Sequence, residues 1–313
     1  MNEKRTHTLP CGDVPRTGHS GSYALHLADG TVWSLVATKS LEPWVEKLAR
    51  TMGLSPVSSV ASPCIIFRRR LPLNYADSLF EPPPDILESY RLPEHDWIVR
   101  REKGYRNWYH REDAIVEIES GGDEILAQIP MGDALTPLYR NVIARGGLPL
   151  HAALIEYRGC GCLLVGSGGS GKSTCAHRIP PPWHPICDDA TLVVRAGKEF
   201  HAHPLPTWSE LVDGCSERRW HVEEHIPCVA VFILEKAPTT ATSLLGQARG
   251  AISLYHAAAQ VYGTFVGQQY SEWDREVQSW IFRNAGLMAK AVPCYLLQVS
   301  LEGQFWNEME RML

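Results

Sequence analysis

The ten residues Val165-Gly166-Ser167-Gly168-Gly169-Ser170-Gly171-Lys172-Ser173-Thr174, entered directly from the apolar run Cys162-Leu163-Leu164, constrain the fold more than any other segment. Glycines at 166, 168, 169 and 171 let the backbone turn tightly and aim its N–H groups at an anion. Lys172 is then placed to reach terminal phosphates, and Ser173 supplies a hydroxyl for Mg²⁺. Such a loop requires a strand before it and a helix from about Lys172, whose positive dipole end faces the anion. A plain glycine-rich turn would leave Lys172 without a purpose. The sequence therefore predicts an α/β nucleotide site formed by Gly166, Ser167, Gly168, Gly169, Ser170, Gly171, Lys172, Ser173 and Thr174.

Pro180-Pro181-Pro182 limits the following helix to about two turns, because proline lacks the N–H donor and clashes with the preceding turn. The short segment Trp183 to Cys187 then delivers Asp188-Asp189 only 16 residues after Lys172, ahead of the apolar run Thr191 to Val194. Two carboxylates at the mouth of a phosphate site allow a division of labour. One holds Mg²⁺ while the other accepts or orients the proton of an attacking hydroxyl. The other reading of an Asp-Asp pair is a turn whose carboxylate caps local backbone.

The stretch Leu148 to Glu156, the loop Gly166 to Ser173 and the pair Asp188-Asp189 resemble the core of HPr kinase/phosphorylase-like proteins. The longer pattern, with Pro181-Pro182-Trp183, Cys187-Asp188-Asp189 and His203-Pro204-Leu205-Pro206-Thr207-Trp208, is similar to the C proteins of the SynChlorMet cassette, encoded beside radical-dependent peptide-modifying enzymes. The resemblance covers roughly residues 133 to 300. It implies a P-loop domain related to phosphoenolpyruvate carboxykinase, with ATP and Mg²⁺ as cofactors. It further implies Lys172 on the phosphates, Ser173 and Asp189 on the metal, Asp188 as catalytic base, and His151 near the transferred phosphate. The glycine-rich signature with which HPr kinases bind their protein substrate has no counterpart here, so HPr is not the expected partner.

Taken alone, a histidine between Leu150 and Ala152 on an apolar strand is more often a hydrogen-bonded core residue. The position of His151 one strand before the loop turns the reading toward the site. His201 and His203 are expected on one face of a later strand, His203 as a supporting or substrate residue and His201 in solvent.

At 313 residues and 44% hydrophobic content the chain can bury a large core. A formal net charge of −5 offers no broad attraction for nucleic acid or anionic membrane. No run approaches the 18 or so apolar residues of a membrane span, and Met1 to Arg5 lead into no signal-like hydrophobic region. The expectation is a cytoplasmic protein. Its nine cysteines lack disulfide-scaffold spacing, and Cys160-Gly161-Cys162 has no partner pair at zinc-finger spacing.

Residues 1 to 21 read as a loosely docked tail. A hairpin with an Asp29-Gly30 turn spans Tyr23 to Val36, and a helix with Trp44, Val45, Leu48 and Met52 on one face follows. Cys64 to Phe67 is strand-like, and Pro82-Pro83-Pro84 marks a linker or rigid loop. Trp97 to Ile118 interleaves arginines and aromatics with offsetting acids, the pattern of a half-exposed sheet or a peptide-docking edge. From Asp133 an apolar face of Leu135, Leu138, Tyr139, Val142 and Ile143 defines a helix stopped by Gly146-Gly147. Val229 to Leu234 and Tyr295 to Val299 read as strands, and Leu254 to Val261 and Glu272 to Lys290 as helices with core-facing apolar residues.

These readings divide the chain into a smaller N-terminal α+β domain, residues 1–132, available for substrate recognition, and a nucleotide-binding domain, residues 133–313. The expected activity is transfer of the ATP γ-phosphate to a hydroxyl, with Ser or Thr of a ribosomally made precursor peptide as acceptor and the peptide's modifying enzymes as associates. A kinase of a small hydroxylated metabolite, and a nucleotide-gated peptide-binding module without phosphoryl transfer, stand beside it.

Overall fold

The computed structural model describes residues 21–70, 81–102, 105–119, 131–208, 219–263 and 272–313. Of the expected tail, residues 1–20 lie outside the described residues. The fold is mixed α/β and contains two sheets.

The first sheet holds β1 (Ser22–His26), β2 (Val32–Ala37), β3 (Cys64–Arg70), β4 (Ile98–Glu102), β5 (Tyr105–His110) and β6 (Asp113–Glu119), in the order β1-β2-β3-β6-β5-β4. β3 runs parallel to β2 and β6, and the other pairs are antiparallel. The β1–β2 turn forms as the sequence requires. Gly30 takes φ +84°, and the Thr31 N–H donates to Asp29 Oδ1 at 3.0 Å. α1 (Glu42–Met52) buries Trp44, Val45, Leu48 and Met52.

Two N-terminal expectations are corrected. Pro84 is no linker residue but opens α2 (Pro84–Ser89), where a missing N–H breaks no helical bond. Ile86 and Leu87 of that helix belong to one core cluster with Trp108 and Ile115. Strand β5 is buried at every residue, not half-exposed. Arg106 faces Glu117 across the β5–β6 register and pairs with it inside the sheet. Glu117 Oε2 also accepts from Trp108 Nε1 at 2.7 Å, and the Arg106 guanidinium lies 4.7 Å from the Trp108 ring centroid. The basic and aromatic pattern here satisfies an internal ion pair.

The second sheet holds β7 (Leu148–Leu150), β8 (Ala152–Tyr157), β9 (Cys160–Val165), β10 (Trp183–Cys187), β11 (Ala190–Ala196), β12 (Glu199–Leu205), β13 (Ile226–Lys236), β14 (Ala241–Leu244) and β15 (Cys294–Val299). Its main path is β10-β8-β9-β13-β12-β11-β7, with β15 beside β13 and β14 beside β15. β9, β13 and β15 are mutually parallel, so their carboxyl ends open on one edge, where open α/β sheets bind ligands.

The helices are α3 (Thr136–Ala144), α4 (Lys172–Arg178), α5 (Gln247–Gly263), α6 (Glu272–Ala291) and α7 (Phe305–Glu310). α3 stops at Gly146 (φ +97°) and Gly147; a Cβ on Gly147 would lie 2.4 Å from the Val193 carbonyl oxygen. Buried Asn284 of α6 donates to the carbonyls of Ile143 (2.6 Å) and Gly147 (3.1 Å), satisfying the end of α3. Val277, Ile281, Ala285 and Met288 of α6 enter the core, whereas Phe282 and Leu287 are exposed. No described helix is long and apolar enough to cross a membrane.

One apolar cluster joins the sheets, taking Trp33, Leu35, Ile65 and Phe67 from the first and Leu154, Leu163 and Val193 from the second, with Leu138 and Val142 of α3. His203 pins the same seam. Its Nδ1 donates to the Val222 carbonyl at 2.8 Å, and its Nε2 accepts from the Ala28 N–H at 3.1 Å. Burial, helped by the nearby His225 and His201, lowers its pKa to about 4. His203 is thus a neutral structural bridge and not a supporting residue of the site. His201 shares its face as expected but is half-buried against His225, the two Nδ1 atoms 3.2 Å apart.

Candidate functional site

Three strand ends converge to build the site. β9 leads at Val165 into the glycine loop. Its antiparallel neighbour β8 pairs Ala152 with Val165, so His151, at a bend just before β8, stands beside the loop's entrance. β10 pairs Cys187 with Leu154 and releases Asp188 and Asp189 at the same edge. Cross-links fix the junction. Thr191 Oγ1 donates to the Ala152 carbonyl at 2.9 Å, and the His151 N–H donates to the Ala257 carbonyl of α5 at 3.1 Å.

The loop has the conformation its glycines allow. Gly169 and Gly171 take φ +75° and +105°, and a Cβ on Gly166 would lie 2.4 Å from Ser170 Oγ. Lys172 begins α4 and is buried; its Nζ donates to the carbonyls of Gly166 (2.9 Å) and Ser167 (3.3 Å). Burial lowers its pKa, against the opposing charge of Asp189. Ser170 Oγ is buried without a hydrogen-bond partner.

A cleft of about 810 Å³ opens over the loop. Gly168 to Cys175 line it with His151 and Asp189, and Arg178, Lys236 to Pro238 and Val299 to Leu301 complete the lining. Arg178 donates to the carbonyls of Ser300 (3.4 Å) and Gly303 (3.0 Å), holding that wall in place. Leu301 is 83% exposed in the cleft, an apolar surface open to a ligand.

His151 Nδ1 lies 3.3 Å from Asp189 Oδ1. Burial first, and then the Lys172 charge, lower the His151 pKa, while Asp189 raises it; the balance is downward and leaves a neutral imidazole at pH 7. Asp188 is placed differently. One of its oxygens accepts from Thr207 Oγ1 at 2.8 Å, and it lines neither the cleft nor a second cavity of about 340 Å³ that His151 and Asp189 also line.

The structure thus brings together the loop residues, Lys172, Ser173, His151 and Asp189, and turns Asp188 aside. Residues that sequence reasoning did not single out are Arg178 and the Lys236–Pro238 segment, and Thr207 enters it only as part of the His203–Trp208 pattern, without a role. Arg178 ends the same helix that Lys172 begins, and Lys236–Pro238 follows the distant strand β13 with no local motif to mark it.

The family model described as SynChlorMet cassette protein ScmC matches residues 114–313. No curated protein gives a significant match. Among solved structures, the Hpr(Ser) kinase/phosphatase from Coxiella burnetii aligns over 52% of this chain and 95% of its own, with 10% identity and a TM-score of 0.27.

Proposed function

The chain belongs to the SynChlorMet cassette ScmC family, and on that premise we propose that it is an ATP-dependent kinase whose acceptor is a Ser or Thr hydroxyl of a ribosomally made precursor peptide. The observation that carries the proposal is one cleft in which a complete phosphate loop faces a paired His151 and Asp189.

The residues fit a nucleoside triphosphate. The loop leaves open space beyond Gly168, Gly169 and Gly171, the buried Ser170 hydroxyl lacks a partner, and the Lys172 ammonium is bonded only to loop carbonyls. Lys172 and the loop amides hold the phosphates, and Lys236 to Pro238 with Leu301 face the nucleoside. Ser173 and Asp189 are the oxygen donors for Mg²⁺, which when bound neutralises charge on the transferred phosphoryl group.

Phosphoryl transfer depends mainly on positioning and electrostatics, so the fixed loop does most of the work. His151, neutral and oriented by Asp189, accepts the hydroxyl proton. A base must reach the hydroxyl, and the engaged position of Asp188 suits it instead to positioning Thr207, in place of the base role expected from sequence.

Mass spectrometry of the cassette's precursor peptide after incubation with Mg-ATP tests the reading. Addition of one phosphoryl group to a Ser or Thr is expected. Tight ATP binding with no phosphorylated peptide would favour the nucleotide-gated module, and phosphorylation of a metabolite alone would move the acceptor class.

A further inference from the structure

The 340 Å³ cavity is lined by Tyr139 of α3, Gln260 and Val261 of α5, Ala190, Trp208, and the same His151 and Asp189 that line the cleft. We propose that this cavity is the acceptor subsite and that it selects a Ser or Thr flanked by uncharged apolar or aromatic residues. The proposal rests on the kinase reading for the transfer step, but not for binding.

The shared wall is the first reason. A group seated in the cavity touches the same His151 and Asp189 that line the cleft, so its hydroxyl lies next to the residues that face a phosphoryl group held over the loop. The hydroxyl oxygen bonds to the γ-phosphorus, the bond from that phosphorus to the β,γ-bridging oxygen breaks, ADP departs with the electron pair, and His151 takes the hydroxyl proton.

The second reason is how the aromatic wall is fixed. Trp208 packs on Gly132, where a Cβ would lie 2.7 Å from its ring, and its indole N–H donates to the Tyr139 hydroxyl. The adjacent Thr207 is tied to Asp188. A tryptophan held in this way offers a pre-set stacking face at little entropic cost.

The third reason is charge. Tyr139, Trp208, Ala190, Gln260 and Val261 carry no formal charge, and Asp189 places a carboxylate at the shared wall. An acidic flank would find no Lys or Arg to pair with among the described lining residues, whereas an apolar or aromatic flank meets Tyr139, Trp208 and Val261. Gln260 supplies an amide donor and acceptor suited to a peptide backbone.

The test uses the full-length protein loaded with a non-hydrolysable ATP analogue and Mg²⁺. Two fluorescein-labelled pentapeptides with a central Ser are compared by anisotropy, one flanked by Leu and Tyr and the other by Asp. The proposal expects the uncharged peptide to bind at least tenfold more tightly. Trp208→Ala should weaken that binding at least tenfold, Gln260→Ala severalfold, and Trp208→Phe much less, all with nucleotide affinity unchanged. Equal binding of both peptides, no binding of either, or wild-type binding by correctly folded Trp208→Ala and Gln260→Ala overturns it. Should Trp208→Ala not fold, Gln260→Ala and the peptide comparison decide. Trp208-dependent binding of a peptide that is never phosphorylated upholds the subsite and overturns only the transfer reading.

Discussion

Replacing Lys172 by Ala should separate phosphate binding from stability. The side chain is buried, and its Nζ already donates to Gly166 and Ser167 carbonyls, leaving one of its three N–H bonds for an anion. A charge-assisted hydrogen bond contributes about 1.5–3 kcal/mol. With the loop no longer stapled, the total loss in ATP binding is about 2–4 kcal/mol. At 1.4 kcal/mol per decade this is roughly a 30- to 700-fold rise in Kd. The ligand-free protein should keep its stability, because removal of a desolvated ammonium offsets the lost loop bonds. Thermal melts then provide a second reading. With ATP at about a hundred times the wild-type Kd, the wild type gains about 2.7 kcal/mol, whereas a variant weakened about a hundredfold gains about 0.4 kcal/mol. A calorimetric Kd within about threefold of wild type, in a folded variant, would refute the reasoning.

Asp189→Asn and His151→Gln are each expected to lower the rate of phosphoryl transfer by about 100-fold or more. Asp188→Asn should retain most of it, since an amide oxygen still accepts from Thr207; a comparable loss at 188 in single-turnover assays returns the base to that residue. Glu117→Gln leaves the Arg106 charge buried without its counter-ion, and urea unfolding should show a loss of about 3–5 kcal/mol, much of it recovered in an Arg106→Met/Glu117→Met double variant. For His203 the folded pKa lies near 4, below the usual histidine value of 6.5, so the native state binds fewer protons than the unfolded chain in that window. Stability should therefore fall as pH drops from about 6.5 toward 4, and His203→Gln should flatten the urea-derived slope.

What could be read from the sequence was what local chemistry decides. The Asp29-Gly30 turn, the strand–loop–helix around Lys172, the stop at Gly146-Gly147 and the arrival of the acidic pair beside the loop each depend on neighbours in the chain. Two readings failed because the deciding partner lies elsewhere. Charges at 106 and 117 looked exposed until β5 and β6 paired them inside. His203 looked like a site residue because a pattern cannot show that both its nitrogens are bonded to a distant turn and a distant carbonyl. The members of the acidic doublet are equivalent in sequence but not in space, since Asp189 lies beside His151 while Asp188 accepts from Thr207. Tyr139 was legible only as a core-facing residue of its helix and Gln260 carried no signal, because the cavity they share with Trp208 forms only when α3 and α5 pack.

The unbroken apolar cluster beneath both sheets bears on how such a chain can diversify. A protein whose recognition unit has its own core can exchange it by recombination, each piece surviving the cut. Here a crossover near residue 132 would strip Trp33, Leu35 and Phe67 from a cluster that also contains Leu138, Leu154 and Val193, exposing apolar surface on both fragments even though each keeps a smaller cluster of its own. The two sheets should melt in one transition, and limited proteolysis should release no stable half. On the proposed acceptor reading, new preferences would then arise by point substitution at cavity walls such as Trp208 and Gln260 rather than by exchange of the N-terminal sheet.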